Sequence, residues 1–272
     1  MKTTSLLLIL LFLVACSKQP SHSKISIYTT PKIIAVYPTS DSLPENLLRF
    51  YIEFSTPMKA VNNLENIRLV DNKGQEIEGA IFNNVYELWD RDQKHLTLIL
   101  DPARVKTGLV ANQSMGRALK AHQHFQLIIE TAEDIYGNTL AEKFVKDIYV
   151  QTEDQQIPEV KNWNINPPKA RTKEPLSIHF PQILDRLSLL HRIRLINENG
   201  AIVKGHIELT NQEKQWHFIP QEAWKKGRYT IQINSRLEDP AGNNINGLFD
   251  HAIGGLKYKN EGKIIELDLS IN

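Results

Sequence analysis

The sequence predicts an all-β protein of two tandem β-sandwich domains that follow a short leader and tether. Three observations favour this fold class. Strand-like segments are short and bounded by Gly, Pro, Asn or Asp, the chain repeats itself once, and no long helical period follows the leader. Turn signals about 8 to 12 residues apart are typical of β-sandwiches.

The first 15 residues predict a cleaved leader. Lys2 precedes a wholly apolar run from Leu6 to Ala15. Ten residues are about half of a membrane-spanning helix, so the run is typical of a secretory signal. The run ends Leu13-Val14-Ala15-Cys16, which resembles the lipobox of bacterial lipoproteins.

That resemblance implies that Cys16 receives a diacylglyceryl group and becomes the N-terminus, anchoring the protein to a membrane through its acyl chains. Because Cys16 is the only cysteine, no disulfide can form within the chain. The alternative is an ordinary signal peptide with Cys16 incidental. We expect a cell-envelope location; Ser17 is compatible with the outer membrane, and polar residues 16–30 predict a flexible tether.

Beyond the tether the sequence repeats. Ile52-Glu53-Phe54 matches Ile178-His179-Phe180, and Ile67-Arg68-Leu69-Val70 matches Ile193-Arg194-Leu195-Ile196, at one offset of 126. A constant offset across separate blocks is unexpected by chance. The sequence therefore contains two copies of one unit.

The two copies differ in length. Phe125–Ile129 parallels Tyr229–Ile233 at an offset of 104, so the first copy is about 21 residues longer. The polar stretch Gln151–Ile157 is the expected boundary. We therefore predict domains at residues 31–155 and 156–272, separately folded and joined by an accessible linker.

Each copy is expected to consist of strands and tight turns. Asp71-Asn72-Lys73-Gly74 and Asn197-Glu198-Asn199-Gly200 place glycine where a hairpin needs positive φ. The predicted strands, which are β-branched or aromatic, are Phe50–Phe54, His95–Leu100, Phe125–Ile129, Leu176–Phe180, Trp216–Ile219 and Tyr229–Ile233. Short helices are predicted near Pro44–Leu48, Leu187–Leu190 and Gln221–Lys225.

The first copy resembles a known family. The motifs are Pro31–Pro38, Phe54-Ser55-Thr56-Pro57-Met58, the Asp71–Gly79 hairpin, Leu96–Pro102 and Asp134–Leu140. Together they resemble the bacterial Ig-like domain of the surface-layer type. The second copy departs at Phe180–Asp185, where the Pro-Met pair is missing. The resemblance implies a structural, adhesive or polymer-binding role and carries no catalytic residues over.

Composition and charge limit the function classes. The 272 residues are 41% apolar and 23% charged, which is typical of a folded protein. Removing residues 1–15, whose only cation is Lys2, leaves no net charge, so we expect no nucleic-acid partner. Residues 31–155 carry −5 and residues 156–272 carry +3, so the domains are expected either to attract one another or to meet different partners.

No pattern of residues points to catalysis. Asp90 and Asp92 beside Trp89 lie in a loop, and Ser114 lacks the glycines of a nucleophile elbow. We predict no catalytic residue, no cofactor and no metal. The alternatives from another class are a surface hydrolase using the long loops of domain 1, and a carbohydrate-binding accessory module using Trp89 and Trp163 as stacking platforms.

Two sets of residues also have a metal interpretation. His122 and His124 alternate at the entry to a strand, where a solvated edge is the preferred interpretation and a metal site the alternative. Asp134 and Asp239 each precede a Gly-Asn pair, which favours an Asx turn over a calcium site. Replacing either aspartate by Asn is then expected to cost about 1 kcal/mol or less.

The main insertion of the first copy is the candidate partner-binding site. Val105–His124 contains about 14 residues that the second copy lacks, and long structured loops are often functional. The candidate basic residues in and beside it are Arg104, Lys106, Arg117 and Lys120. They predict an acidic partner, either an envelope protein or an acidic polymer. The alternative is a loop that covers a sheet edge or packs on domain 2; shortening it is expected to leave the fold intact.

These observations together predict a lipid-anchored cell-envelope protein with a non-catalytic binding or spacer role. Its predicted partners are the membrane, through the anchor at Cys16, and the acidic envelope partner.

Overall fold

The computed structural model of the chain describes residues 30–61, 64–82, 86–251 and 262–272. The leader, Cys16 and the tether up to residue 29 lie outside these residues, so the predictions made for them stay predictions. Within the described residues, no helix is long and apolar enough to cross a membrane.

The first half of the chain forms two four-stranded sheets. Their strand orders are β1-β3-β6-β5 and β2-β8-β7-β4, and β2 runs parallel to β8 while the other pairs are antiparallel. The strands are β1 (Ile33–Tyr37), β2 (Ser42–Pro44), β3 (Arg49–Phe54), β4 (Ile67–Asp71), β5 (Leu88–Trp89), β6 (His95–Ile99), β7 (His124–Ile129) and β8 (Phe144–Gln151).

The second half forms a four-stranded and a three-stranded sheet. Their orders are β12-β13-β10-β9 and β11-β14-β15, and all pairs are antiparallel. The strands are β9 (Asn164–Asn166), β10 (Leu176–His179), β11 (Ile193–Asn197), β12 (Gly205–Thr210), β13 (Gln215–Pro220), β14 (Gly227–Asn234) and β15 (Ile264–Ile271).

Each half encloses its own hydrophobic core between its two sheets. Phe50, Leu98 and Leu127 are fully buried in the first core, and Ile178 and Trp216 in the second. The polar positions between these residues face outward, as the two-residue period of a strand requires. The all-β prediction of two β-sandwiches is confirmed.

The repeat is visible in the strand register. Ile52 of β3 lies between Val36 and Leu96, and Ile178 of β10 lies between Ile165 and Trp216. β1, β3, β5 and β6 therefore correspond to β9, β10, β12 and β13, while β4, β7 and β8 correspond to β11, β14 and β15. β2 has no counterpart among the strands of the described residues.

The two predicted hairpin turns form as expected. The Asp71 side chain accepts hydrogen bonds from the backbone N–H groups of Lys73 and Gln75, and Gly74 has φ of 76°. Asn197 makes the same bonds to residues 199 and 201. A non-glycine residue would be strained at Gly74, so the Asx-Gly sequence determines the turn.

The helices match the predictions only in part. Helix α3 (Arg186–His191) confirms the helix predicted at Leu187–Leu190. No helix forms at 44–48, where the Leu48 N–H leaves the turn and donates to a carbonyl of the second sandwich, nor at 221–225; both predictions are wrong. Two helices were not predicted: α1 (Pro102–Val105), which leads into the insertion, and α2 (Val110–Met115), which lies within it.

Three places along the molecule are named below. The near pole is the end of the first sandwich where β1 begins and β3 ends, and it includes residues 55–59 and the Asp134–Asn138 turn. The junction lies where β3 begins and β10 ends. The far pole is the end of the second sandwich where β10 begins and β15 ends.

Candidate functional site at the junction of the two sandwiches

A buried hydrogen bond links the two sandwiches. The Tyr51 hydroxyl of β3 donates to the Asp185 carboxylate at 2.7 Å, and the two residues are only 3% and 4% exposed. Asp185 also caps α3 by accepting from the Ser188 N–H. Burial, and then the charge of Asp185, raise the pKa of the Tyr51 hydroxyl. Tyr51 therefore stays protonated and remains a donor.

Two ion pairs flank this bond, and each sandwich supplies one cation. Arg49 contacts Glu238 at 2.8 Å, and Arg186 contacts Glu53 at 3.5 Å. Each cation meets its acid away from full solvent, so these pairs are screened less than surface pairs. Because each half supplies one cation and one acid, the two pairs do not follow from the opposite net charges of the halves.

Aromatic contact adds to the second ion pair. The Arg186 guanidinium lies over the Tyr37 ring, 3.6 Å from its centroid. The Tyr37 hydroxyl donates to Glu53 at 2.7 Å, and burial raises its pKa to about 12. Glu53 therefore accepts a hydrogen bond from the neutral Tyr37 hydroxyl and pairs with the Arg186 cation. These two contacts hold the first turn of α3 against the first sandwich.

Glu213 extends across the junction from the turn between β12 and β13. Its carboxylate accepts from both the backbone N–H and the hydroxyl of Thr39, each at 2.9 Å. Glu213 is 3% exposed and has φ of 57°. Burial raises its pKa above the ordinary value for glutamate. The strained backbone and the buried carboxylate are both offset by these two bonds.

The Asp239–Asn243 turn of the second sandwich docks on the first. The Leu48 N–H donates to the Pro240 carbonyl at 3.0 Å. A Cβ at Gly242 would lie 2.2 Å from the Leu48 Cδ1 atom. Gly242 also has φ of 80°, so both the space and the backbone conformation require glycine.

The predicted linker is held by both sandwiches. The Asp154 carbonyl accepts from the side-chain amides of Asn46 and Asn243, and the Asp154 N–H donates to Asn46. Burial, and then the nearby Asp154 carboxylate, raise the pKa of Asp239 to about 8. The segment thus acts as a bonded part of the junction, although its composition predicted an accessible linker.

The insertion also contacts the second sandwich. Thr107 donates from its N–H and its hydroxyl to Asp250, at 3.1 Å each. The Lys106 ammonium lies 4.3 Å from the centroid of the Phe249 ring. Arg117 pairs with Glu45 and Glu153 of the first half and lies 3.6 Å from Asp250. The structure therefore supports the alternative that the loop packs on domain 2.

Arg104 holds the insertion from inside. It is 4% exposed, and its guanidinium donates to the carbonyls of Glu78, Gly116 and Arg117. Burial lowers its pKa. Of the four basic residues proposed to meet a partner, Lys120 is the one the structure leaves exposed; Arg104, Lys106 and Arg117 are engaged within the chain.

The residues considered for metal or acid chemistry make local bonds. Asp90 accepts from the ring and backbone of His95 and from the Lys94 N–H, and Asp101 caps α1. His122 lies before β7 with φ of 63° and does not alternate with His124 along it. The described residues contain no cluster of three or more His, Cys, Asp or Glu side chains that could hold a metal.

Asp134 forms the predicted turn, but with a tighter requirement than expected. One carboxylate oxygen accepts from the Tyr136 and Asn138 N–H groups, and the other accepts from the Asn138 side-chain amide. Desolvation opposes the charge, but these bonds outweigh it and lower the pKa of Asp134. An asparagine at position 134 could not accept at both ends, so we now expect its replacement to cost more than the sequence suggested.

The tryptophans proposed as stacking platforms are not exposed rings. Trp163 is 8% exposed and packs edge-on against Phe180. Trp89 is half-buried against Phe54, and its indole N–H donates to Glu87. The interpretation as a sugar-stacking platform is therefore wrong for Trp163, and for Trp89 it stays a prediction.

Sequence reasoning missed the junction, because its residues bond across more than 130 positions. One signal was present. In the stretch where the two copies align, Leu48, Arg49 and Tyr51 correspond to Glu174, Pro175 and Ser177. A difference of this kind between repeats indicates positions that make a contact in one copy only.

Comparison with known proteins gives distant likeness only. No family model matches the chain, and no curated protein matches it. The surface-layer protein SbsC is 11% identical over 75% of this chain and 23% of that chain, with a TM-score of 0.32. The N-terminal part of SbsC is also 11% identical, over 90% and 44%, with a TM-score of 0.31.

A two-domain Ig module shows a similarly distant likeness. The N-terminal Ig1-2 module of the Drosophila receptor protein tyrosine phosphatase DLAR is 12% identical over 77% of this chain and 93% of that chain, with a TM-score of 0.26. The chain spans less than a quarter of the first surface-layer structure. None of these likenesses, all with TM-scores below 0.5, places the chain in a family.

Proposed function

We propose that the chain is a lipid-anchored cell-envelope protein whose two sandwiches act as a stiff spacer. The observation that carries the proposal is the buried Tyr51–Asp185 bond within a junction that also holds the connecting segment. A contact of this kind resists bending between the two units, whereas independent domains on a free linker would move relative to one another. The proposed anchor is Cys16, and the outer membrane is the proposed location.

Stiffness can be measured as a distance distribution. Spin labels on Lys120→Cys and Ile202→Cys would give one narrow distribution of distances by double electron–electron resonance if the junction is rigid. Leu48→Glu places at the junction the residue that the second copy has at the equivalent position, and it should broaden the distribution. A broad distance distribution in the labelled protein that keeps Leu48 would contradict the spacer role.

The anchor is tested separately. Cys16→Ala should abolish both incorporation of labelled palmitate and cleavage before residue 16, because the thiol is the acceptor in the lipobox. Ser17→Ala is the matched control and should still be lipidated. Palmitate on the Cys16→Ala protein would contradict the proposed anchor.

A binding role has support at the far pole. A cleft of about 330 Å³ there is lined by the exposed Lys204, Lys225 and Glu222, and its floor includes the buried core residues Trp224 and Tyr229. The two exposed lysines outnumber the one glutamate, which favours an acidic partner. Lys204→Glu with Lys225→Glu should remove crosslinked partners from intact envelopes, and Lys120→Glu should not. Full retention of partners by the double variant would exclude this cleft.

A further inference from the structure

The near pole of the first sandwich is structurally equivalent to the docking face of the second sandwich, which is the face that contacts the first sandwich at the junction. The Lys59 N–H donates to the Glu133 carbonyl at 2.9 Å, just as the Asp185 N–H donates to the Glu238 carbonyl at 2.9 Å. Lys59 therefore occupies the position of Asp185.

Two further equivalences follow from backbone bonds. The Met58 N–H donates to the Gln93 carbonyl, and the Leu184 N–H donates to the Glu213 carbonyl, so Gln93 occupies the position of Glu213. The Asp134–Asn138 turn matches the Asp239–Asn243 turn bond for bond. The near pole thus has the geometry of a docking face.

Its chemistry is different. The second sandwich presents Asp185, Glu213 and the buried pair Pro240 and Ala241 to the first sandwich. The near pole presents a lysine and a glutamine in place of the two acids. Its turn carries Ile135 and Tyr136, whose exposed fractions are 48% and 49%.

A second copy of this chain does not provide the matching surface. To bind the near pole of another copy, the far pole would need counterparts of Leu48, Arg49 and Tyr51, the residues of the first sandwich that contact the second sandwich at the junction. It carries Glu174, Pro175 and Ser177 at those positions, so it offers neither the apolar contact, nor the guanidinium, nor the phenol.

The near pole is also the end at which the chain enters. The Ser55 N–H donates to the Lys32 carbonyl, and β1 starts at Ile33. From Cys16 to Thr30 there are 14 steps, which span at most roughly 50 Å when extended. If Cys16 carries the proposed lipid, the bilayer lies within reach of this pole.

We propose that the near pole rests on the lipid bilayer, with Ile135 and Tyr136 in the headgroup region and Lys32 and Lys59 at lipid phosphates. This inference rests on the proposed lipid anchor. An exposed aliphatic side chain beside a tyrosine suits the interface, because the ring has an apolar body and a polar tip. Lys59 pairs with Glu133 at 3.5 Å between half-exposed side chains; such a surface pair is weak, so anionic headgroups can compete for the ammonium group.

The experiment uses the full lipidated chain in vesicles of phosphatidylethanolamine and phosphatidylglycerol. For each spin label we compare the accessibility to oxygen, which enters the bilayer, with the accessibility to an aqueous nickel complex. The ratio of oxygen to nickel accessibility should be several-fold higher for a label on Tyr136→Cys than for a label on Ile202→Cys. Ile202 lies at the far pole and is 63% exposed, which makes it the matched control.

Three results would overturn the inference. Aqueous accessibility at both labels, with lipid still present on Cys16 by mass spectrometry, would overturn it and leave the anchor standing. Shielding of label 136 from both probes alike would mean that a protein covers the near pole. Absence of lipid on Cys16 would overturn the anchor and this inference together.

Labels also disturb the surface, so a second measurement uses unlabelled variants. Ile135→Ser combined with Tyr136→Ser should increase the rate of trypsin cleavage in the vesicle-bound protein near Lys32 and Lys59, because the pole lifts from the bilayer. Ile202→Ser should leave that rate unchanged. An equal cleavage rate in all three proteins would contradict contact between this pole and lipid.

Discussion

Tyr51 and Asp185 belong to different sandwiches and share one hydrogen bond that solvent does not reach. Tyr51→Phe keeps the ring but leaves one buried carboxylate oxygen of Asp185 without its donor. We expect the free energy of unfolding to fall by about 1 to 3 kcal/mol. Urea denaturation measures the change, and Tyr149→Phe, at a residue that is 38% exposed, is the control. Equal stability of the two variants would show that the bond contributes nothing.

Asp134 accepts hydrogen bonds at both carboxylate oxygens. Asp134→Asn replaces the charge-assisted bonds of the carboxylate by neutral ones and requires the Asn138 amide to turn its oxygen toward the new donor, so we expect a loss of about 1 to 3 kcal/mol. The neighbouring Glu133→Gln, at an exposed side chain, is expected to change stability by less than about 0.5 kcal/mol. A rise in melting temperature with calcium that Asp134→Asn abolishes would instead indicate a metal site.

Asp239 gives the junction a pH dependence of known sign. Its folded pKa of about 8 lies above the ordinary value of 3.8. The folded state therefore binds the proton more tightly, and this contribution to stability is complete below pH 3.8 and is lost as the pH rises to about 8. Within that window the loss approaches about 1.4 kcal/mol per pH unit.

Unfolding measured between pH 5 and pH 9 tests this expectation. The protein should lose stability with pH more steeply than Asp239→Asn, whose side chain does not titrate. The buried carboxyls of Glu213, Glu238 and Asp154, whose pKa values burial also raises, leave a residual slope of the same sign. Identical slopes in both proteins would contradict the raised pKa of Asp239.

At the scale of elements, the insertion is part of the fold. Ala118 and Leu119 lie in the first hydrophobic core, and Arg104 bonds three carbonyls. Shortening Val105–His124 is therefore expected to destabilise the first sandwich, contrary to the sequence-based expectation. Arg104→Lys cannot reach all three carbonyls and should cost about 2 to 3 kcal/mol, whereas Lys120→Gln should cost less than about 0.5. Thermal unfolding distinguishes the two.

The elements also show where sequence reasoning succeeds. The strands were predictable because β-branched and aromatic residues alternate between turn residues, and the hairpins because an Asx residue precedes Gly74 and Gly200. Helix α1 has a start signal in the sequence, Asp101 as N-cap followed by Pro102. The burial of Arg104 was not readable, since arginine is rarely buried and its partners are backbone carbonyls.

At the scale of the whole molecule, the bonds at the junction lead us to expect that the two sandwiches unfold as one unit. Because Asn46 and Asn243 both hold the Asp154 carbonyl, proteases should not cut first at 151–157. Calorimetry should show one transition for the protein and two for Leu48→Glu. Two separate transitions in the protein itself would restore the prediction of independently folded domains.

The parallel pairing of β2 with β8 and the antiparallel pairing of β1 with β3 have a mechanical consequence. The chain enters the first sandwich at the near pole and leaves it at the junction, so a pull between Lys32 and Asn272 is directed along these strands. The hydrogen bonds lie across that direction and are loaded together, in shear, rather than opened one at a time. A body tethered at one end and held at the other would therefore bear tension in its strongest direction.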